Sequence, residues 1–281
     1  MVSTVTVNIA DRIATITLNR PKTLNAITAE DYDAFANALR EIDQNPDVLV
    51  TVWQATGKWF CAGTDVKGRK TQDGNPHSNV RDALRNSVVS TTLDCGKALY
   101  SHSKILVAAL NGPVMGITAA FLGYFDFIYA MPNAWHAELL SLDVTIWLTY
   151  ASLPGIVAEG GASVSFINRM GVGFANEVLI WGKKKSAEEL LACGFVNKIF
   201  PQQEAESFHG EVRKLLLSEL EGLDPSALLV MRGLIRRGLH EKNDPDAVNL
   251  RESYAQAERF ASGIPAVQFM RIANKEIKHK L

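Results

Sequence analysis

Two stretches of this chain end an apolar run in glycine, and their residue types and spacing suit the binding of an anionic oxygen. The first is Trp59-Phe60-Cys61-Ala62-Gly63-Thr64-Asp65-Val66. It follows the β-branched run Val48-Leu49-Val50-Thr51-Val52-Trp53, which reads as a buried strand. Glycine has no Cβ, so the backbone can turn at Gly63 and bring a peptide N–H close to a ligand. The same residues also fit an ordinary strand exit, with Asp65 capping the next segment. The second stretch repeats the logic: the strand-like Ile105-Leu106-Val107-Ala108-Ala109-Leu110 runs into Asn111-Gly112-Pro113-Val114-Met115-Gly116-Ile117. A helix starting there leaves the N–H groups around Gly116 and Ile117 unpaired and partly positive. Two such elements could aim two amides at one oxygen.

The other reactive residue types offer less. Cys61 adjoins the first turn but has no base beside it in sequence, so packing is the preferred role. His77 falls in a polar loop, His102 precedes a strand, and His209 and His240 lie in amphipathic helical segments. None has a partner at metal-ligand or nucleophile spacing, so each reads as a surface or packing residue and no metal site is expected. Glu159, taken alone, reads as a solvated residue in the first turn of a helix from Gly160 to Met170.

The elements that must position these residues follow from periodicity. Thr4–Ile9 and Ile13–Leu18 alternate about Ala10-Asp11-Arg12, which describes a β-hairpin. Thr28 and Asp31 form a capping-box pattern opening a helix to Ile42, with Tyr32, Phe35 and Leu39 at helical spacing. The polar residues Lys67 to Asn79 read as a loop, Val80 to Tyr100 as a helix, and Phe127–Ala130 as a short strand. Further on, a helix from Ser186 to Gly194 precedes a strand over Phe195–Pro201. Glu204 to Leu220, Pro225 to Leu239 and Asp246 to Ser262 read as amphipathic helices.

Composition bounds the rest. With 281 residues, 47% hydrophobic and 21% charged, the chain is long enough for one large domain with a helical annex. A net charge of -1 supplies no field to recruit nucleic acid or an acidic membrane. Three cysteines at irregular spacing make neither a disulfide framework nor a zinc cluster, and suit a reducing compartment. Residues 1–7 alternate and form no signal-peptide core. No apolar run approaches the roughly twenty residues that cross a bilayer, so no membrane span is expected.

Four motifs in order carry a family resemblance: Asn19-Arg20-Pro21-Lys22 with Leu24-Asn25-Ala26, Phe60-Cys61-Ala62-Gly63-Thr64-Asp65, Asn111-Gly112 with Gly116, and Gly155-Ile156-Val157-Ala158-Glu159-Gly160-Gly161-Ala162-Ser163. Together they resemble the crotonase (enoyl-CoA hydratase/isomerase) superfamily over nearly the whole chain. The resemblance implies an α/β fold, the ClpP-like crotonase spiral of ββα units over residues 1–200, with a C-terminal helical trimerisation region over 201–281. It implies an acyl-CoA substrate, no cofactor beyond the coenzyme A of that substrate, and a homotrimer or homohexamer. It also implies an oxyanion hole made by the backbone N–H groups of Thr64 and Ile117. Leu24, Ala62, Gly63, Thr64, Asp65, Val66 and Ile117 would then line the acyl-CoA path.

The carboxylates select the reaction. Hydration in this family uses two glutamates, one of them at the position of Ala120, where a methyl group can neither orient water nor exchange a proton. The remaining acid, Glu159, sits in a segment similar to fungal peroxisomal Δ3,Δ2-enoyl-CoA isomerases, for which one base suffices. The expected reaction is conversion of 3-enoyl-CoA to trans-2-enoyl-CoA in fatty-acid β-oxidation. A pathway-specific enoyl-CoA hydratase-like enzyme or dienoyl-CoA isomerase, for example of secondary metabolism, and a non-catalytic CoA-binding homologue are the alternatives. Ile156, Val157 and Phe166 could give Glu159 an apolar setting, which the following helix start would oppose. Compared with similar isomerases, this chain interposes His136 to Ile146 and places Pro154 just upstream of Gly155. Lys275, Lys278 and Lys280 read as a solvated helix end. His279-Lys280-Leu281 resembles the Ser-Lys-Leu peroxisomal address, so a peroxisomal import receptor is a candidate partner and the cytoplasm the alternative location.

Overall fold

The computed structural model describes residues 4–65, 77–132, 145–147, 155–274 and 276. Val66, most of the Lys67–Asn79 loop, the greater part of the His136–Ile146 segment, Leu148–Leu153, Pro154, Lys275, Lys278 and His279-Lys280-Leu281 lie outside those residues.

The hairpin forms as its alternation dictates, with β1 (Val5–Ala10) antiparallel to β2 (Ile13–Leu18). Helix α1 (Ala29–Gln44) starts at Thr28 with both halves of the capping box made to Asp31. β3 (Val50–Ala55) begins two residues later than the apolar run suggests. The amides of Leu49 and Val50 first bond the Arg12 carbonyl, so ladder pairing starts at Val50.

The region from residue 80 to 101 is helical throughout but not uniformly α. Short α2 (Val80–Ala83) passes into a ten-residue π-helix, Leu84–Leu93, and then into α3 (Asp94–Ser101). β4 (Ile105–Leu110), β5 (Val114–Met115), α4 (Ile117–Phe121) and β6 (Phe127–Ala130) follow. β7 (Thr145–Trp147) includes the end of the interposed segment.

α5 (Ala162–Leu179) begins after Gly160 and Gly161, whose φ of 62° and 79° exclude them from the helix, and it is interrupted at Gly171. β8 (Lys185–Ser186) and α6 (Ala187–Ala192) precede β9 (Lys198–Ile199). β9 is shorter than its apolar run because the amides of Phe195 and Val196 close the end of α6 on the Leu190 carbonyl. Helices α7 (Ala205–Leu220), α8 (Pro225–Lys242), α9 (Pro245–Ala261) and α10 (Ile264–Ala273) complete the chain, α10 being absent from the sequence reading.

The main sheet has the order β1-β2-β3-β4-β6-β9 and is parallel except at the hairpin. Strand residues alternate between two buried faces, as a parallel sheet requires. Trp53, Leu106, Ala108, Leu110 and Ile128 join a core containing α1, while Val52, Val107, Ala109 and Tyr129 pack toward Phe208, Val212 and Leu216 of α7. Trp53 centres the first core, with ring centroids of Phe35, Phe60 and Phe125 at 4.6, 4.9 and 5.6 Å. Such aromatic pairs contribute about 1 kcal/mol each beyond burial.

A smaller sheet, β5-β7-β8, joins the second glycine turn to the interposed strand. α8 is anchored by Asp126, which accepts from Arg232 Nε at 2.6 Å and Arg236 Nη2 at 2.8 Å. No helix among the described residues is long and apolar enough to cross a membrane.

Candidate active site

The first motif works as a splice between loops. Leu24 and Asn25 both adopt φ of 54°, which turns their backbone sharply. The Asn25 side-chain Nδ2 then donates to the carbonyls of Thr56 and Trp59, each at 2.8 Å. Arg20 donates to the Ala26 carbonyl at 2.6 Å and to Asp65 at 3.1 Å, so one guanidinium ties this loop to the first glycine turn. The Leu24 side chain is itself exposed; its carbonyl accepts from Ala62 N–H at 2.9 Å.

The direction of the Thr64 amide follows from its neighbours. Ile27 N–H donates to the Gly63 carbonyl and Asp65 N–H donates to the Ile27 carbonyl, both at 2.8 Å. In a parallel bridge this pattern turns the intervening Thr64 N–H away from Ile27. The Thr64 side chain meets the Tyr32 hydroxyl at 2.7 Å.

The second turn is built against the first. Met115 N–H donates to the Cys61 carbonyl at 2.9 Å, and Gly116, with φ of 61° and ψ of −142°, breaks the strand before α4. The Thr118 hydroxyl covers the Met115 carbonyl at 2.7 Å. A Cβ placed on Gly63 would stand 3.2 Å from the Met115 oxygen and 3.8 Å from the Gly116 Cα, so the two turns touch. Thr64 and Ile117 each follow one of these positive-φ glycines, and neither N–H donates to another described residue.

Glu159 is buried rather than solvated, with 8% exposure. The Thr92 hydroxyl, from the π-helix, donates to its Oε2 at 3.1 Å. Next to it, a Cβ on Gly160 would meet the Phe121 ring at 3.0 Å and the Ala120 methyl at 3.3 Å. α4 therefore carries Ile117 at its start and presents Ala120 against the glutamate segment within one turn. Phe166 is fully buried, while Ile156 and Val157 are only partly so; Phe121 and Ala120 form the closer apolar wall.

Ala62, Gly63, Thr64, Asp65 and Ile117 are thus brought together around the two turns, with Leu24 at their edge. Glu159 stands beyond the same helix α4. Thr92 carries no signal in the sequence, because nothing in the periodicity of residues 80–100 announces a π-helix or its register.

Cys61, His77 and His102 are packed against neighbouring groups. Burial pushes the Cys61 thiol up to about 12, and its sulfur donates to the Asn25 carbonyl. His77 is buried rather than looped out, its Nε2 lying 2.9 Å from the Ser87 hydroxyl. His102 Nε2 pairs with Thr51 at 2.8 Å. Among the described residues no group of three or more His, Cys, Asp or Glu side chains could hold a metal. A separate cavity of about 410 Å³ opens between α5 and α8 and is lined by neither Glu159 nor Thr64 nor Ile117.

Comparison with known proteins gives the family. The family model described as enoyl-CoA hydratase/isomerase matches residues 8–234. A Delta(3,5)-Delta(2,4)-dienoyl-CoA isomerase of Pyricularia oryzae is 37% identical over 98% of each chain. A 3,2-trans-enoyl-CoA isomerase of Saccharomyces cerevisiae is 30% identical over 95% of this chain and 92% of its own. The crystal structure of an enoyl-CoA hydratase/isomerase from Pseudoalteromonas atlantica superposes with a TM-score of 0.77 at 25% identity, covering 99% of this chain and all of that one. Fold, motif order and these matches converge: the chain belongs to the enoyl-CoA hydratase/isomerase family.

Proposed function

We propose that this protein is an acyl-CoA double-bond isomerase in which Glu159 is the single base and the N–H groups of Thr64 and Ile117 hold the thioester oxygen. The observation that carries the reading is a buried carboxylate, bonded by Thr92, whose neighbour Gly160 packs on Ala120 and Phe121 of the helix that opens at the second of two touching glycine turns. A 3-enoyl thioester binds with its carbonyl oxygen on the two amides. Glu159 takes a C2 proton, the electron pair moves through the carbonyl to form the enolate oxygen, and the 3,4 double bond shifts to 2,3 as the same acid returns the proton at C4. Thr92 donates to Oε2 and so fixes one orientation of the carboxylate. The amides stabilise charge only as it develops, which is the larger contribution in enolate chemistry. Addition of water lacks a second carboxylate at residue 120 to orient it.

A second reading is favoured by the 37% identity to a dienoyl-CoA isomerase. There the proton travels from C2 to C6, four carbons instead of two, beyond the swing of one carboxylate. Assay with a 3-enoyl-CoA, a 3,5-dienoyl-CoA and a 2-enoyl-CoA separates the cases. Conjugated 2-enoyl product from the first supports the proposal, turnover of only the second supports the dienoyl reading, and hydration of the third contradicts both.

The expected homotrimer or homohexamer is supported by apolar residues exposed on α8, including Val230, Met231, Leu234 and Ile235. Peroxisomal residence is supported by the sequence His279-Lys280-Leu281, and a fluorescent fusion with and without those three residues tests it.

A further inference from the structure

The segment carrying Glu159 has little secondary structure of its own to hold it. Gly155, Gly160 and Gly161 all adopt positive φ, and the N-cap of α5 is Gly161, which has no side chain to cap the helix. Support comes from α9. Residues 252, 256 and 259 share one face of that helix. Glu252 accepts from Gly161 N–H through Oε2 at 2.6 Å and from Ser163 N–H through Oε1 at 2.9 Å. Gln256 Oε1 accepts from Val157 N–H at 3.0 Å, and Arg259 Nε donates to the Gly155 carbonyl at 2.7 Å. Four main-chain groups on both sides of Glu159 therefore hang on three side chains of one helix. Glu252 and Gln256 are almost fully buried.

We propose that α9 sets both the position and the proton affinity of Glu159, with Glu252 as the positioning residue whose carboxylate offsets the positive field at the start of α5. This rests on the reading of Glu159 as the base. An uncapped helix start beside Glu159 would favour its ionised form and weaken it as a base, whereas an anion on the first amides restores its affinity for a proton. Arg251 on α9 favours the charged form of Glu252. Burial raises the affinity of Glu252 for its own proton, and the bonds from Ser163 and Gly161 pull it back. The other titratable neighbours are Tyr124, facing Glu252, and Tyr32, facing Glu159; burial pushes both phenols far up, so they stay neutral. Arg259 lies one turn past Gln256, and Asp246 at the start of α9 is held by Lys97 and Tyr100 of α3.

The test is the pH profile of kcat on a 3-enoyl-CoA for the full chain and three variants. Glu252→Gln removes the anion and is expected to move the acid limb down by about half a unit and lower the plateau severalfold, with KM little changed. Gln256→Glu keeps the acceptor for Val157, adds an anion, and is expected to move the limb up. Opposite shifts support the proposal; limbs of both variants at the wild-type position overturn it. Should Glu252→Gln fail to fold, the Gln256→Glu limb decides alone, upward for the proposal and unmoved against it. Glu159→Gln separates the two levels. Its inactivity alongside unmoved limbs sinks only the role of α9, and its full activity sinks the base assignment itself.

Discussion

At the scale of single residues, the chemistry depends on what surrounds one carboxylate. The hydrogen bond from Thr92 to Oε2 fixes the orientation of the Glu159 carboxylate. Thr92→Val removes that donor with little change in volume. kcat on a 3-enoyl-CoA is then expected to fall severalfold, while Thr92→Ser stays near wild type. Motif order singled out Thr64, Ile117 and Glu159, and the structure places Thr64 and Ile117 directly after two touching positive-φ glycines. The burial of Glu159 was not legible, since in sequence it reads as a first-turn helical residue. Thr92 lies 67 residues away on a π-helix whose register leaves no periodic trace.

At the scale of elements, the two glycine turns act as one unit. Gly63 has φ of 86° and faces the Met115 carbonyl, so Gly63→Ala meets both a backbone penalty of about 1–2 kcal/mol and a close contact. Displacing one of the two proposed oxyanion donors is expected to reduce kcat about a hundredfold to a thousandfold, with thermal stability only modestly lower. The α8 anchor is a different case. Asp126→Ala leaves Arg232, whose side chain is 9% exposed, without its carboxylate, and is expected to cost about 3–5 kcal/mol in urea unfolding. Strands and capped helices were readable because alternation and capping boxes are local. The limits of β3, β9 and α5 were not, because distant carbonyls or paired positive-φ glycines set them.

At the scale of the whole molecule, the mainly parallel sheet buries both faces, and buried neutral histidines give stability a pH dependence. Burial holds His102 down to about 4, against an ordinary 6.5. Its contribution is complete above pH 6.5 and lost as the unfolded chain protonates between about 6.5 and 4. Urea midpoints at pH 7 and pH 5 are expected to fall in that order, by up to about 2 kcal/mol from this residue. His102→Asn should flatten the dependence. The spiral order of the core was legible only through family resemblance, since no local pattern states which strand follows which across a sheet. The approach of α9 to the Glu159 segment was likewise invisible, as it joins residues nearly a hundred positions apart.

One measurement bears most directly on the account: kcat of Glu159→Gln with a 3-enoyl-CoA at neutral pH, beside binding of the same thioester. The expected result is a loss of about a hundredfold to ten-thousandfold in kcat with binding retained, the range for a lost acid–base group. Turnover at the wild-type rate would show that another group moves the proton.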